Sequence, residues 1–208
     1  MFTGIIRYTG EIASIKKSGE GSYFTIQADK GVLEKLEKGI TSISVNGACH
    51  TVSEVTSGGF TTYSSFETLS RTSQGLLKSH DRVNLELPLT PTTLLDGHLV
   101  QGHVDGTGSF IGMKKKGEAY LAKFTAGHDI IKYLVEKDSI AIDGISLTIF
   151  NISEDTFEVA MIPETASRTT LGKKSPGDPV NLEVNIFAKY VYRFTGQTGK
   201  KIADFIIK

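Results

Sequence analysis

At 208 residues the chain exceeds one average domain and suits two of about 100 residues, each large enough for its own core. Apolar residues make up 39% and charged residues 22%, with 22 Gly against 5 Pro, a composition that favours a fully folded chain rich in turns. Lys plus Arg equals Asp plus Glu at 23 each, and no stretch approaches the roughly 20 apolar residues of a membrane span, so nucleic acid and membrane are not expected partners. Met1-Phe-Thr-Gly has neither the basic nor the apolar region of a secretion signal, and the single cysteine, Cys49, has no intrachain partner; both fit the cytoplasm.

Along the chain, apolar residues recur at helical spacing in Val32 to Lys38, and period-2 alternation then marks short strands at Ile43 and Val45 and at Thr51 and Val52. Pro88-Leu-Thr-Pro91 opens a connection that runs to about residue 97. A second helical segment fits Asp129 to Val135, and Phe157, Val159 and Met161 alternate as a strand. The tail differs: Ile186, Phe187, Tyr190, Val191 and Phe194 fall on one helical stripe, which predicts an amphipathic helix within 186–208 with an oligomer contact or its own barrel as partner.

The two halves repeat. Ser42 to Val52 aligns with Ser139 to Ile149 at an offset of 97 (146 − 49), and Glu67 to Ser73 with Glu164 to Thr170 and Val83 to Leu87 with Val180 to Val184 keep that register. With one inserted residue the openings also pair, Thr3-Gly4 with Gln101-Gly102 and Thr9-Gly10 with Thr107-Gly108. Residues 1–97, with the connection, form the first unit and 98–185 the second. About six strands and a short helix in some 90 residues predict a closed antiparallel barrel in each, which removes exposed edges.

The duplication sharpens the chemistry. Cys49 taken alone is more often a small buried hydrophobe than a nucleophile, but its partner is Ser146, so one spot holds a short polar side chain twice, with Thr51 and Thr148 two positions further on the same face. A pocket wall needs hydrogen-bonding groups of this size. His98 and His103 have the look of a metal pair, yet five positions along a strand turn them to opposite faces and no ligand cluster completes a site, so no metal and no cofactor is expected. His50, His80 and His128 read as surface or structural. Glu67-Thr68 and Glu164-Thr165 each suit a helix start, with Thr68 or Thr165 as cap, and a helix start beside a pocket presents N–H groups to a ligand. No Walker lysine, phosphate loop or Ser-His-Asp arrangement appears.

Met1-Phe-Thr-Gly-Ile-Ile6, Asn46-Gly-Ala-Cys-His-Thr-Val52, Gly97-His-Leu-Val-Gln-Gly-His-Val104, Asp143-Gly-Ile-Ser-Leu-Thr148 and Ile162-Pro-Glu-Thr165 together resemble the riboflavin synthase family, over Met1 to about Tyr192. The resemblance implies an all-β fold of two tandem six-stranded antiparallel Greek-key barrels, each with a short helix, and a C-terminal trimerisation helix. It implies a homotrimer, a transferase reaction between two 6,7-dimethyl-8-ribityllumazine molecules per site, and an association with lumazine synthase as a further partner to consider. A non-catalytic lumazine or flavin carrier of the same fold is the alternative. Carried over by position, the resemblance assigns lumazine contacts to Gly4, Ile5 and Ile6, to Cys49, His50 and Thr51, and to Tyr63, Ser64, Ser65, Phe66, Glu67 and Thr68. In the second copy it assigns them to Gly102, His103 and Val104, to Lys137, to Ser146, Leu147 and Thr148, and to Ile162, Pro163, Glu164, Thr165, Ala166 and Ser167. Cys49, His103 and Ser146 stand closest to the chemistry by the same resemblance, His103 and Ser146 with proton loss and Cys49 with nucleophilic addition. Three positions depart from the family: His50 in place of Leu, Phe66 in place of Pro or a basic residue, and Asn185 in place of Asp.

Overall fold

The computed structural model describes residues 1–198; the last part of the expected tail helix, 199–208, lies outside the described residues. The first half runs β1 (Tyr8–Ser18), β2 (Gly21–Gln27), α1 (Lys30–Leu33), β3 (Ser42–Val45), β4 (Ala48–Val55), β5 (Gly59–Ser64), α2 (Phe66–Arg71) and β6 (Arg82–Glu86). The second half repeats it as β7 (Gly106–Lys116), β8 (Ala119–Thr125), α3 (His128–Ile131), β9 (Ser139–Ile142), β10 (Ile145–Phe150), β11 (Thr156–Met161), α4 (Pro163–Arg168) and β12 (Pro179–Val184). A final helix, α5, spans Ile186–Thr198. Each half closes into a six-stranded antiparallel barrel, in the order β1-β2-β5-β4-β3-β6 and its counterpart.

Alternation decides which side chains enter each barrel. In β4, Ala48, His50 and Val52 are buried while Thr51 is exposed, and in β11 Phe157, Val159 and Met161 are the buried set. The helices expected at 32–38 and 129–135 prove to be single turns. Beyond Glu34 and Lys132 the bonds run three residues back, as Leu36 N–H to the Leu33 carbonyl and Leu134 N–H to the Ile131 carbonyl show. The apolar spacing was real, because Val32, Leu33 and Leu36 pack on the first core, but tight turns satisfy it as well as a helix does.

The barrels meet across a two-fold-like seam. The side chain of Asn84 donates to the Asp143 carbonyl at 3.0 Å and accepts from the Thr170 amide at 2.9 Å. Asn181 does the same in reverse, donating to the Asn46 carbonyl at 2.7 Å and accepting from the Ser73 amide at 2.6 Å. Gly47 and Gly144 lie back to back: a Cβ on Gly47 would stand 2.7 Å from the Gly144 nitrogen, and both have a φ of +81°, so only glycine fits. The seam is not fully symmetric, since Asp143 carries the buried ion pair with Lys174 at 3.0 Å where the first copy has Asn46 and Leu77. Burial raises the Asp143 pKa and Lys174 opposes that rise.

Because both ends of each Asn side chain serve buried backbone groups of the other half, Asn84→Ala leaves an amide and a carbonyl without partners. The variant should lose about 1 to 3 kcal/mol of stability in denaturant titrations. A midpoint equal to that of the wild type would mean that water replaces the seam bonds without cost.

Candidate active site

The residues singled out from the repeat lie on two equivalent faces outside the barrels. Cys49 and Ser146 are each the second residue of their strand, so Cys49 and Thr51, and Ser146 and Thr148, look away from the barrel interior. Each face is covered by the opening segment of the other copy. The Cys49 amide donates to the Gly102 carbonyl and the Ser146 amide to the Gly4 carbonyl, both at 2.8 Å. A Cβ on Gly102 would stand 2.6 Å from Cys49 Cβ, and one on Gly4 2.6 Å from Ser146 Cβ, at φ values of +81° and +76°. Here too only glycine permits the approach.

A buried carboxylate anchors each segment. Glu86 accepts from the Thr3 amide, the Thr3 hydroxyl and the Gly4 amide at 2.7, 2.6 and 3.1 Å. Glu183 accepts from the amides of Gln101, Gly102 and His103 at 2.6, 2.9 and 2.9 Å. Burial pushes both carboxyls upward in pKa, against the pull of these donors. The crossover has a chemical result: exposed His103 follows Gly102 onto the Cys49 face, whereas Ile5 follows Gly4 onto the Ser146 face.

The Ser146 face opens into a cleft of about 540 Å³ between Gly4, Ile5, Ile6, Arg7 and Tyr8 on one side and Ser146, Ile162, Glu164, Thr165, Arg168 and Thr169 on the other. His98, read from sequence as half of a pair that holds no metal, bonds the Ser146 hydroxyl through Nδ1 at 2.7 Å. Burial lowers the His98 pKa and nearby Asp138 opposes that shift. A neutral imidazole against a hydroxyl is a proton acceptor and relay. Asp138 is held in turn by Asn185, whose side-chain amide donates to it at 2.9 Å while its carbonyl accepts the Phe187 N–H at the start of α5. The amide at 185 therefore donates a bond that an ionised Asp, the residue expected there, could not.

The helix starts differ from expectation. Thr68 and Thr165 lie inside α2 and α4; Ser65 caps α2 by accepting the Thr68 N–H at 3.3 Å, and α4 begins with Pro163 after Ile162, with no side-chain cap. Phe66 and Ile162 are exposed, as are Glu67, Glu164, Pro163 and Ser167, while Thr68, Thr165 and Ala166 are half-buried. Tyr63 is exposed and tilts against Tyr23 at a centroid distance of 5.0 Å, and Val104 is half-buried. Lys137 stands apart from the cleft lining, exposed at φ +69° in the turn before β9. A larger cleft of about 650 Å³ follows the seam past Arg82, Lys173 and Lys174 and includes Ser167, but neither Cys49 nor Ser146 lines it, whereas Ser146 lines the smaller one.

Three of the assigned positions turn inward. His50, Ser64 and Leu147 are buried within their barrels, so only their backbones remain near the outer faces. Ser64 donates to Gln74 Oε1 at 2.9 Å, which leaves the Gln74 amide group to donate to His50 Nε2 at 2.7 Å. His50 Nδ1 then carries the proton and faces the Tyr63 carbonyl at 3.4 Å. Phe2, Val100, Ala141 and Cys49 pack together as a small apolar cluster under the crossing segments, where Phe2 and Val100 form an antiparallel bridge.

Comparison with known proteins adds to this geometry. The lumazine binding domain family matches residues 3–88 and again 101–185. The riboflavin synthase of Actinobacillus pleuropneumoniae is 43% identical over 194 residues, covering 93% of this chain and 89% of the relative. That of Bacillus subtilis is 42% identical over 194 residues with the same coverage, and that of Mycobacterium tuberculosis 39% over 204 residues, covering 96% of this chain and 100% of the relative. Among solved structures, LumP complexed with 6,7-dimethyl-8-(1'-D-ribityl) lumazine superposes with a TM-score of 0.80 at 27% identity, over 88% of this chain and 99% of that one. LumP complexed with riboflavin gives 0.82 at 26% identity, over 89% and 100%.

Burial lowers the His50 pKa to about 4. An unfolded histidine binds its proton below about 6.5, so between pH 6.5 and 4 the unfolded state holds more protons and His50 subtracts stability as pH falls. The loss is about 2 to 3 kcal/mol by pH 4.5, which lies about two pH units below 6.5 at roughly 1.36 kcal/mol each. His50→Leu should therefore lose that much less stability than wild type between pH 7 and pH 4.5; comparing the two proteins cancels the opposing titration of the buried carboxylates. Parallel pH curves in urea would show that His50 is protonated in the fold.

Proposed function

The chain belongs to the lumazine-binding domain family, with riboflavin synthases among its relatives at about 40% identity, and on that premise we propose that it is itself a riboflavin synthase. One 6,7-dimethyl-8-ribityllumazine molecule passes a four-carbon unit to a second, giving riboflavin from the acceptor and 5-amino-6-ribitylamino-pyrimidinedione from the donor. The observation that carries this reading is a pair of equivalent faces that differ in their reactive groups: Cys49 with His103 on one, Ser146 with His98 and Ile5 on the other. A dismutation needs such a pair, because one substrate loses a proton from its C7 methyl while the other accepts a nucleophile at C7. We assign addition to the Cys49 thiol and the proton transfers to His103 and to Ser146, whose hydroxyl is coupled to His98. Holding the two substrates in stacking orientation supplies much of the rate.

Gly4 and Gly102 lie two residues beyond Phe2 and Val100 on opposite sides of an antiparallel bridge, roughly 13 Å apart along the strands at about 3.3 Å per residue. This separation supports a reaction site between chains, with the first barrel of one subunit against the second barrel of its neighbour. Helix α5 supports the assembly. It docks on its own barrel through Lys189 with Asp105 and Tyr192 with Tyr133, yet leaves Phe187, Tyr190 and Val191 more than half exposed. We take these residues as the contact of a homotrimer working in riboflavin biosynthesis in the cytoplasm. The likeness to LumP keeps a carrier without turnover as the second reading, and riboflavin appearing from the lumazine separates the two.

Cys49→Ala should lower turnover by more than about tenfold, roughly 1.4 kcal/mol in the barrier, with substrate binding nearly unchanged. Unchanged turnover would give the nucleophile's role to water. Cys49→Ala and Ser146→Ala/Thr148→Ala chains should be almost inactive separately and regain activity when unfolded and refolded as a mixture. Mixtures no more active than their components would place both substrates within one chain. Truncation after Val184 should convert the oligomer into monomers in sedimentation, and a persisting trimer would assign the assembly to the barrels.

A further inference from the structure

The two barrels differ at a place that the reaction does not explain. The Ser64, Gln74 and His50 set of the first barrel matches Met161, Leu171 and Leu147 in the second, each at the repeat offset of 97 (147 − 50). All three second-barrel residues belong to its apolar core, whereas the first-barrel set is a chain of hydrogen bonds running from Ser64 through Gln74 to His50 and on toward the Tyr63 carbonyl. Both sets are buried, His50 and Gln74 to within 4% and 2% of full burial. Apolar packing would fill the same space, as the second barrel demonstrates. Buried polar groups add little net stability compared with an apolar set of similar shape, so stability does not account for the network.

Its location offers another account. His50 lies in β4 directly between Cys49 and Thr51, and Ser64 ends β5 just before Ser65, the cap of α2. Gln74 sits in the 3-10 turn Ser73–Leu76 that follows α2. The network thus ties the strand that carries Cys49 to both ends of the segment containing Glu67 and Thr68. Aliphatic contacts tolerate sliding between such elements, but directed hydrogen bonds do not. Burial keeps the His50 ring neutral, which preserves one donor and one acceptor and hence the direction of the chain.

We propose that the buried Ser64–Gln74–His50 network positions the first barrel's ligand face, setting Cys49 against the α2 segment and making the two lumazine sites unequal. The proposal rests on the reading of these faces as lumazine sites. His50 is a positioning residue in it, because its ring points away from the ligand face.

The test replaces the whole network by His50→Leu/Gln74→Leu/Ser64→Ala, which removes all three polar side chains together, beside His50→Gln, whose amide can both accept from Gln74 and donate to Tyr63. Cys49 is the only cysteine in the chain, so labelling by a chromogenic disulfide reports its setting directly. The triple variant should melt cooperatively near the wild-type temperature while kcat falls by about tenfold or more and the labelling rate changes by about fivefold or more. His50→Gln should stay within about threefold of wild type in both. Wild-type kcat and labelling in the folded triple variant would overturn the proposal. If that variant does not fold, His50→Leu against His50→Gln decides, and equal losses in the two overturn it. Should the wild-type protein make no riboflavin, the reading as a synthase falls, while the labelling rates still decide whether the network positions Cys49.

Discussion

Each opening segment of this protein is claimed by both barrels at once, and the rest of the architecture depends on that double attachment. The N–H groups of residues 3–4 and 101–103 bind a buried glutamate of their own barrel, and the carbonyls of Gly4 and Gly102 take an amide from the other. One short stretch of backbone thus supplies donors on one side and an acceptor on the other. The carboxylate matters in this role because buried N–H groups left unpaired cost free energy. The result is a seam that is also the floor of two ligand faces, so the packing of the barrels and the assembly of the sites are one event.

Crossing over decides which side chains can act together. Had each segment covered its own barrel, Ile5 would sit by Cys49 and His103 by Ser146. The observed arrangement brings the backbone that carries exposed His103 to the Cys49 strand and gives the Ser146 hydroxyl His98. Duplication followed by divergence at a few positions is therefore enough to make two chemically distinct faces on one scaffold. The copies differ also in the interior, where the first barrel has hydrogen bonds at positions that are apolar core in the second, and along the seam, where Asp143 and Lys174 form a charge pair at the positions matching Asn46 and Leu77. A buried carboxylate alone would be costly, so the paired change is the physically accessible one.

Helix α5 has a divided role. One face is spent on its own barrel, through Asn185 to Asp138, Lys189 to Asp105 and Tyr192 to Tyr133. These contacts fix where the helix starts and the direction in which it leaves the second barrel. What the opposite face presents is large and apolar, with Phe187 64% and Val191 61% exposed and Tyr190 stacked on Phe194. Because Asp138 also lies near His98, the helix start and the Ser146 face share a carboxylate, which couples the tail to the site.

Much of this was legible in the amino-acid sequence, for reasons that are local. A register constant over three blocks reveals duplication, and alternation in β4 and β10 puts Cys49 with Thr51 and Ser146 with Thr148 on one face and His50 and Leu147 on the other, since the strand period is two wherever the strand goes. The same local logic misjudged lengths, as at α1 and α3, and caps, as at Ser65, because competing turns satisfy the same apolar spacing. His98 was passed over because nothing in its neighbours predicts Ser146, 48 residues away, as its partner. The crossing of the opening segments, the Glu86 and Glu183 anchors and the His50 network join residues far apart in the chain, and only the closed barrels bring them within hydrogen-bond reach. The sequence by itself determined the strands, their faces and the repeat, since these are written in local periodicity and register; the tertiary structure decided which opening segment covers which face, because that depends on where distant backbone donors and acceptors meet.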